Sequence, residues 1–273
     1  MSLGFRLLAD GPLDGASNMA VDEAVLESYV VFSRPAAPTL RLYSWSPPAL
    51  SLGRRQAAAG AHDAAFLRAE GIHLVRRPTG GRAVLHEHER TYAVIGSLRE
   101  LPFEGGVLDT YRRIAAALVE ALRLLGVDAE GATPSRGAPR DPGPLGPPVC
   151  FDLAGAHEIT AGGRKLVGSA QLRRHGAFLQ HGSILLRADP SRLSRAIGAP
   201  ADGSRFVDLE KVLGHAPDIA ALDAAIVAAF EKTLGGPVVP GALTPAESER
   251  AAFLRTAKYS TDAWNLEGRE RPE

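Results

Sequence analysis

Gly163-Arg164-Lys165-Leu166-Val167-Gly168-Ser169-Ala170-Gln171 is the stretch whose reading decides the fold. Its residue types suit a β-strand, and a period of two puts Lys165, Val167, Ser169 and Gln171 on one face and Leu166, Gly168, Ala170 and Leu172 on the other. Gly162 and Gly163 supply a hairpin turn back to a β-like run at 157–160, and a third run spans 177–186. A three-stranded antiparallel ribbon is therefore expected.

Upstream, 5–9 reads as a strand, and 17–29 as a helix through Met19, Ala20, Ala24, Val25 and Tyr29. Short β-rich runs follow at 39–45, 49–52, 73–77, 82–86 and 91–95, with a helix-like stretch at 62–69 between them. Tyr111, Ile114, Leu118, Leu122 and Leu125 mark a helix over 107–125 that Asp109 or Thr110 can cap and Gly126 can end. Residues 131–148 hold too much proline and glycine to pack as an element and are expected to form a mobile loop. Downstream, 218–234 is amphipathic and Thr244-Pro245-Ala246-Glu247 is a capping box with proline at the first helical position, so the part at 204–265 reads as helical. The whole is α+β, a mixed and largely antiparallel sheet packed by helices in a single domain over 1–273, with no regular βαβ rhythm and no internal repeat.

The chain has 273 residues, 45% of them hydrophobic, enough for a substantial core. Its 31 basic and 31 acidic residues cancel, so no overall field points to nucleic acid or an anionic membrane. One cysteine excludes an internal disulfide framework and a Cys-rich zinc site. Histidine spacings match no metal-ligand pattern, and neither a metal nor a cofactor is expected. The start lacks a basic segment followed by an apolar run, and no window of about 18 apolar residues occurs. A cytoplasmic monomer is the expectation.

Three segments carry chemistry. In Arg76-Arg77-Pro78-Thr79-Gly80-Gly81-Arg82-Ala83-Val84-Leu85-His86, the glycines allow a ligand to approach backbone N–H groups, and the arginines could hold a carboxylate or phosphate; the same pattern also occurs as a plain exposed hairpin. Cys150 follows the Pro/Gly loop directly, placed to meet an acyl donor and then an acceptor, although free cysteines are often inert packing residues. Lys165 could border a dry pocket or be a solvated edge-strand lysine. His157 is the nearest histidine in sequence to Cys150 and so the first candidate for a Cys–His pair.

Together, RRPTGGRAVLH, then CF with HEITAGGRKLVGSAQ, then LQHGSILL resemble the lipoate and biotin ligase/transferase superfamily, in particular octanoyltransferases that carry their cysteine on a loop before the lysine strand. The match runs from Asn18-Met19-Ala20-Val21-Asp22-Glu23 to Lys258-Tyr259 and Trp264-Asn265. The resemblance implies a biotin ligase-like, class II aminoacyl-tRNA synthetase-like catalytic domain with an apolar tunnel for an acyl chain. It implies that Cys150 attacks an octanoyl thioester and that Lys165 contacts the acyl carbonyl and assists proton transfer. Arg76, Thr79, Gly80, Gly81, Arg82, His86, Gly168, Ser169 and Ala170 would form the substrate pocket. The implied donor is octanoyl-acyl carrier protein; the implied acceptor is a lipoyl-accepting protein such as the glycine cleavage H protein or a dehydrogenase E2 lipoyl domain. Both partners are expected to be acidic, with Arg54, Arg55, Arg173 and Arg174 steering them.

Two relatives stay open as alternatives, an ATP-dependent lipoate-protein ligase and an amidotransferase between lipoyl proteins. The ligases tend to read SGGGAVYHD at the first motif and often carry a further C-terminal domain, whereas this chain reads TGGRAVLHE. A non-catalytic acyl-binding module is a third possibility of another class.

Overall fold

The chain begins with strand β1 (Phe5–Leu13) and helix α1 (Gly15–Val31), whose first turn is capped by Asp14 accepting from the Ser17 N–H at 2.7 Å. Strands β2 (Thr39–Trp45) and β3 (Ala49–Leu52), helix α2 (Ala64–Ala69) and strands β4 (His73–Arg76), β5 (Val84–His86) and β6 (Glu89–Ser97) follow. Helix α3 (Val107–Leu124) and β7 (Ala129–Gly131) lead to the ribbon β8 (Ile159–Ala161), β9 (Arg164–Arg174) and β10 (Ala177–Leu185). The remainder is α4 (Pro190–Ile197), α5 (Leu209–Leu213), α6 (Ile219–Leu234), β11 (Val238–Pro240), α7 (Pro245–Leu254), a π-helical turn (Arg255–Tyr259) and α8 (Asp262–Asn265). This computed structural model describes residues 4–31, 37–99, 102–131 and 158–270, so Cys150, His157 and nearly all of the expected loop lie outside the described residues.

Eight strands form one mixed sheet in the order β11-β1-β2-β6-β10-β9-β8-β7, parallel at β11-β1-β2 and antiparallel from β2 onward. Strands β4-β3-β5 make a second, smaller sheet. The expected ribbon is present, with Gly162 and Gly163 at φ 55° and 72° in its turn, as an integral part of the large sheet. Helices α3 and α6 cover one face through Ile114, Leu118, Leu222 and Phe230. Phe5 makes edge-on contacts with Phe103 and Phe230 at 6.0 and 5.7 Å, each worth about 0.5–1.5 kcal/mol beyond area burial. Helices α1 and α7 cover the other face, with Met19, Val25 and Leu254 against Tyr43, Ala93 and Leu179.

Three local expectations differ from the structure. Gly106, not Asp109 or Thr110, is the N-cap of α3; the Asp109 carboxylate instead accepts from the Gly106 N–H at 2.8 Å. The C-terminal part is not wholly helical, because β11 pairs with β1 at the edge of the sheet; three residues are too few to show a periodicity. Finally, strict alternation fails in β9. Ile159 pairs with Val167 but Thr160 with Lys165, so Leu166 is one extra residue, a β-bulge. Leu166 and Val167 both enter the core under α3 and α6, and Lys165 shifts to the face opposite Val167. That is the face of Gly168 and Ala170.

Candidate active site

Between the large and small sheets lies a cavity of about 420 Å³, its open mouth included. Apolar side chains of Met19, Tyr43, Trp45 and Val84 form much of its wall, and Gly168, Ser169 and Ala170 of β9 leave room along another side. Two histidines border it, each backed by a buried carboxylate.

His181 of β10 is 3.0 Å from Asp22 Oδ2 through Nδ1, and its Nε2 is 2.7 Å from Thr79 Oγ1. Burial holds the His181 pKa below its ordinary value, against the opposing pull of Asp22. Its one N–H therefore goes to Asp22, and Nε2 accepts the Thr79 hydroxyl. Burial raises the Asp22 pKa, but Arg41, with Nη1 2.7 Å from Oδ1, and the bond from His181 outweigh it and leave Asp22 an anion. Arg41 is itself fully buried and also holds Asp10 and the Asn18 side chain.

His86 of β5 stacks on Trp45, ring centroids 3.9 Å apart at 12°. Its Nδ1 lies 2.7 Å from Glu89 Oε1 and its Nε2 lies 2.7 Å from Ser51 Oγ. The same Glu89 oxygen accepts Thr91 and Ser183 hydroxyls at 2.5 and 2.8 Å. Arg77 donates to the Ser51 hydroxyl at 3.0 Å, so the single Ser51 proton is directed at His86 Nε2.

At the ribbon, Lys165 is buried and donates to Glu158 Oε1. Its backbone bridges to the segment before α5, through Arg205 O and the Val207 N–H. Gly131 pairs with Ile159, so the chain leaves β7 and returns at β8 beside this ion pair.

The profile of the lipoyl protein ligase A/B catalytic domain matches residues 14–231. The chain belongs to that family. It is similar to the octanoyltransferase LipM of Symbiobacterium thermophilum, at 42% identity over 97% of this chain and 99% of the relative. The LipM of Moorella thermoacetica is 40% identical over 95% of this chain and 97% of its own. Among solved structures, a lipoate-protein ligase A bound with ATP superposes with a TM-score of 0.80 at 27% identity, covering 96% of this chain and 98% of that one. A bipartite lipoate-protein ligase from Thermoplasma acidophilum gives 0.79 at 25% identity, covering 99% of each. Since ligase chains of matching extent exist, length does not separate ligase from transferase. Near-full-length likeness to octanoyltransferases makes this member of the lipoyl ligase family an acyltransferase.

Within this family member, His86, Gly168, Ser169 and Ala170 line the cavity. Thr79 is buried beside it, bonded to His181, while Gly80 and Gly81 form the exposed tip of the turn. Arg82 is buried, and its carbonyl accepts from Arg77 at 2.7 Å. Arg76 departs from its expected place. It is not among the cavity's lining residues: its guanidinium donates to the carbonyls of Gly53, Gln56 and Trp264 at 2.7, 2.7 and 2.9 Å, clamping α8 to β4. Arg77 likewise grips the carbonyls of Gly80, Arg82 and Ser51, shaping the turn.

The steering arginines are also largely tied to their own chain. Arg54 covers the Trp264 ring at 4.4 Å and donates to Gly268 O. Arg173 holds the carbonyls of Gly105 and Gly106 and the Thr110 hydroxyl. Arg174 faces Glu23 and Glu27, and Arg55 is exposed.

Asp22, Trp45, Ser51 and Glu89 escaped the sequence reading. Trp45, Ser51 and Glu89 are ordinary strand residues with no local motif, and only register brings them to the cavity or to the histidines that border it. Asp22 alone had a signal, a charged residue among the apolar positions of a helix. Among the described residues, no group of three His, Cys, Asp or Glu side chains could hold a metal ion, and no helix is long and apolar enough to cross a membrane.

Proposed function

We propose that this chain is an octanoyltransferase, moving an octanoyl group from octanoyl-acyl carrier protein to the lysine of a lipoyl-accepting protein through a thioester on Cys150. The observation that carries the reading is the near-full-length match to octanoyltransferases, 42% identical over 97% of the chain. The bipartite ligase of Thermoplasma acidophilum belongs with an E2 lipoyl domain in an archaeal lipoylation system, which supports a lipoyl domain as acceptor.

The mechanism follows from bond energies. Cys150 attacks the donor thioester, forming one thioester as another breaks, so this exchange is nearly isoenergetic and needs no ATP. The acceptor lysine then attacks the acyl-enzyme, and the step is downhill because an amide replaces a thioester. Covalent catalysis separates the encounters with the two protein partners. Lys165, on the cavity face of β9, donates to the acyl carbonyl oxygen as negative charge builds there. The segment bearing Cys150 joins β7 to β8, whose pairing runs next to Lys165 and Glu158, which supports a site shared by the thiol and Lys165.

A second reading, ATP-dependent lipoate ligation, is favoured by the fold match to an ATP-bound ligase. Intact-protein mass spectrometry after mixing the chain with octanoyl-carrier protein and no ATP separates the two. One octanoyl adduct, absent in Cys150→Ala and passed on to a lipoyl domain, is expected. Modification of the lipoyl domain only with lipoate and ATP would establish the ligase instead.

A further inference from the structure

Any amide-forming step at this site must remove a proton from the attacking amine. We propose that Ser51, His86 and Glu89 form the relay that takes it, with His86 as the base. This rests on the reading that the site acylates a lysine.

Two imidazole–carboxylate pairs border the cavity, and their surroundings differ in a way that assigns their roles. Asp22 already has a permanent cation, Arg41 at 2.7 Å, and His181 Nε2 is occupied by Thr79. That pair is complete without a further proton and acts as a strut under the glycine turn. Glu89 has no such cation: among the described residues its one ion-pair contact is His86, at 2.7 Å. It is 4% exposed, one oxygen receives three donors, and Oε2 has no hydrogen-bond partner among the described residues. Burying a carboxylate with no cation is costly, and the cost falls when the adjacent imidazole becomes imidazolium. The Glu89–His86 pair is therefore built to gain a proton, and Trp45 holds the ring flat while it does so.

The path runs through Ser51. Its oxygen accepts from Arg77 with one lone pair and keeps a second for the amine N–H in the cavity. As the amine nitrogen attacks the acyl carbonyl carbon, its proton passes to Ser51 Oγ and the Ser51 proton passes to His86 Nε2. The C–N bond forms as the bond to the leaving group breaks, and the leaving group carries away the electron pair of that bond. Among the described residues, the charged and titratable groups around the relay include Arg77 beside Ser51, Tyr43 of β2, His181 of β10, and Glu87, His88, Arg187 and Asp189 around a second hollow that Glu89 also lines.

The test measures lysine acylation of a lipoyl domain by His86→Ala, Glu89→Gln and Ser51→Ala across pH 6 to 9. It uses whichever donor the wild-type chain turns over, octanoyl thioester or lipoate with ATP, because both end in the same aminolysis. Wild-type inactivity with the thioester thus counts against the proposed function, and the variants report on the relay. Positioned acid–base groups contribute about 100-fold or more. Glu89→Gln and His86→Ala should therefore lose about 100-fold in kcat at pH 7 with little change in donor KM. Their rates should rise steadily with pH, and added imidazole should restore part of the His86→Ala rate. Ser51→Ala, the least disruptive to folding, should show the same kcat loss on a smaller scale. Rates within tenfold of wild type with an unchanged pH profile, or losses confined to KM, would overturn the relay.

Discussion

Gly53 faces the carbonyl oxygen of Gly81 so closely that a Cβ built on Gly53 would stand 1.9 Å from it. No side chain fits there, and the Arg54 N–H donates to Thr79 O at 2.8 Å alongside, so the end of β3 is moulded onto the glycine turn. Gly53→Ala must push the turn outward. A displacement of about 1 Å at a reacting centre can cost about 100-fold, so kcat/KM should fall between about 10- and 100-fold while the far-ultraviolet circular dichroism stays native. Wild-type kinetics would show that the turn's position is immaterial.

Arg41 and Asp22 are both fully buried and 2.7 Å apart. Arg41→Met strands the Asp22 carboxylate and should lower unfolding stability by about 3–5 kcal/mol in urea titrations. Asp22→Asn should cost less, because Arg41 keeps Asp10 and Asn18 as partners. Equal losses would contradict that asymmetry.

Burial holds the His181 pKa below the ordinary 6.5, so the unfolded chain binds a proton there that the folded chain refuses. Stability contributed by the neutral ring is present above pH 6.5 and falls as pH drops below it, down to the depressed folded value. Comparing melting curves between pH 7.5 and 5, His181→Gln should flatten this acid-side decline; an unaltered slope would place its origin elsewhere.

Ala170 pairs with His181 across β9 and β10 and lines the cavity. If the acyl chain lies there, Ala170→Leu fills space otherwise taken by methylenes, each worth about 0.8 kcal/mol or roughly fourfold in rate. Selectivity should move from octanoyl toward hexanoyl and butyryl donors in competition assays. A uniform loss for all three lengths would locate the chain outside this cavity.

Lys165 and Glu158 should be separable in role. Lys165→Met is expected to lose about 100-fold or more in transfer and also to lose stability, since it removes the ammonium that donates to the Glu158 carboxylate. Adding Glu158→Gln should recover stability but not activity. Recovery of both would reduce Lys165 to a structural role.

What could be read in the sequence was what depends on local periodicity. Strands Thr39–Trp45 and Ala49–Leu52 appeared where expected, as did the helix stripe of Ile114, Leu118 and Leu122 and the capping box of Thr244 and Glu247, because neighbouring residues alone set those patterns. The motifs that resemble a family are contiguous in the chain, and they hold His86, Gly168, Ser169 and Ala170, which line the cavity. What remained hidden depends on register between distant segments. Nothing local says that Leu166 bulges, yet that one extra residue turns Lys165 to the face of Gly168 and Ala170. Nor does any short stretch show that Arg76 reaches the carbonyls around α8, or that Ser51, His86 and Glu89 meet. Alternation and helical pitch are encoded within a few residues, whereas the pairing of β3 with β5 and the approach of the two sheets depend on the whole core closing. The sequence by itself determined the longer periodic elements and the family; the tertiary structure alone decided which buried charges face the cavity and which hold the fold together.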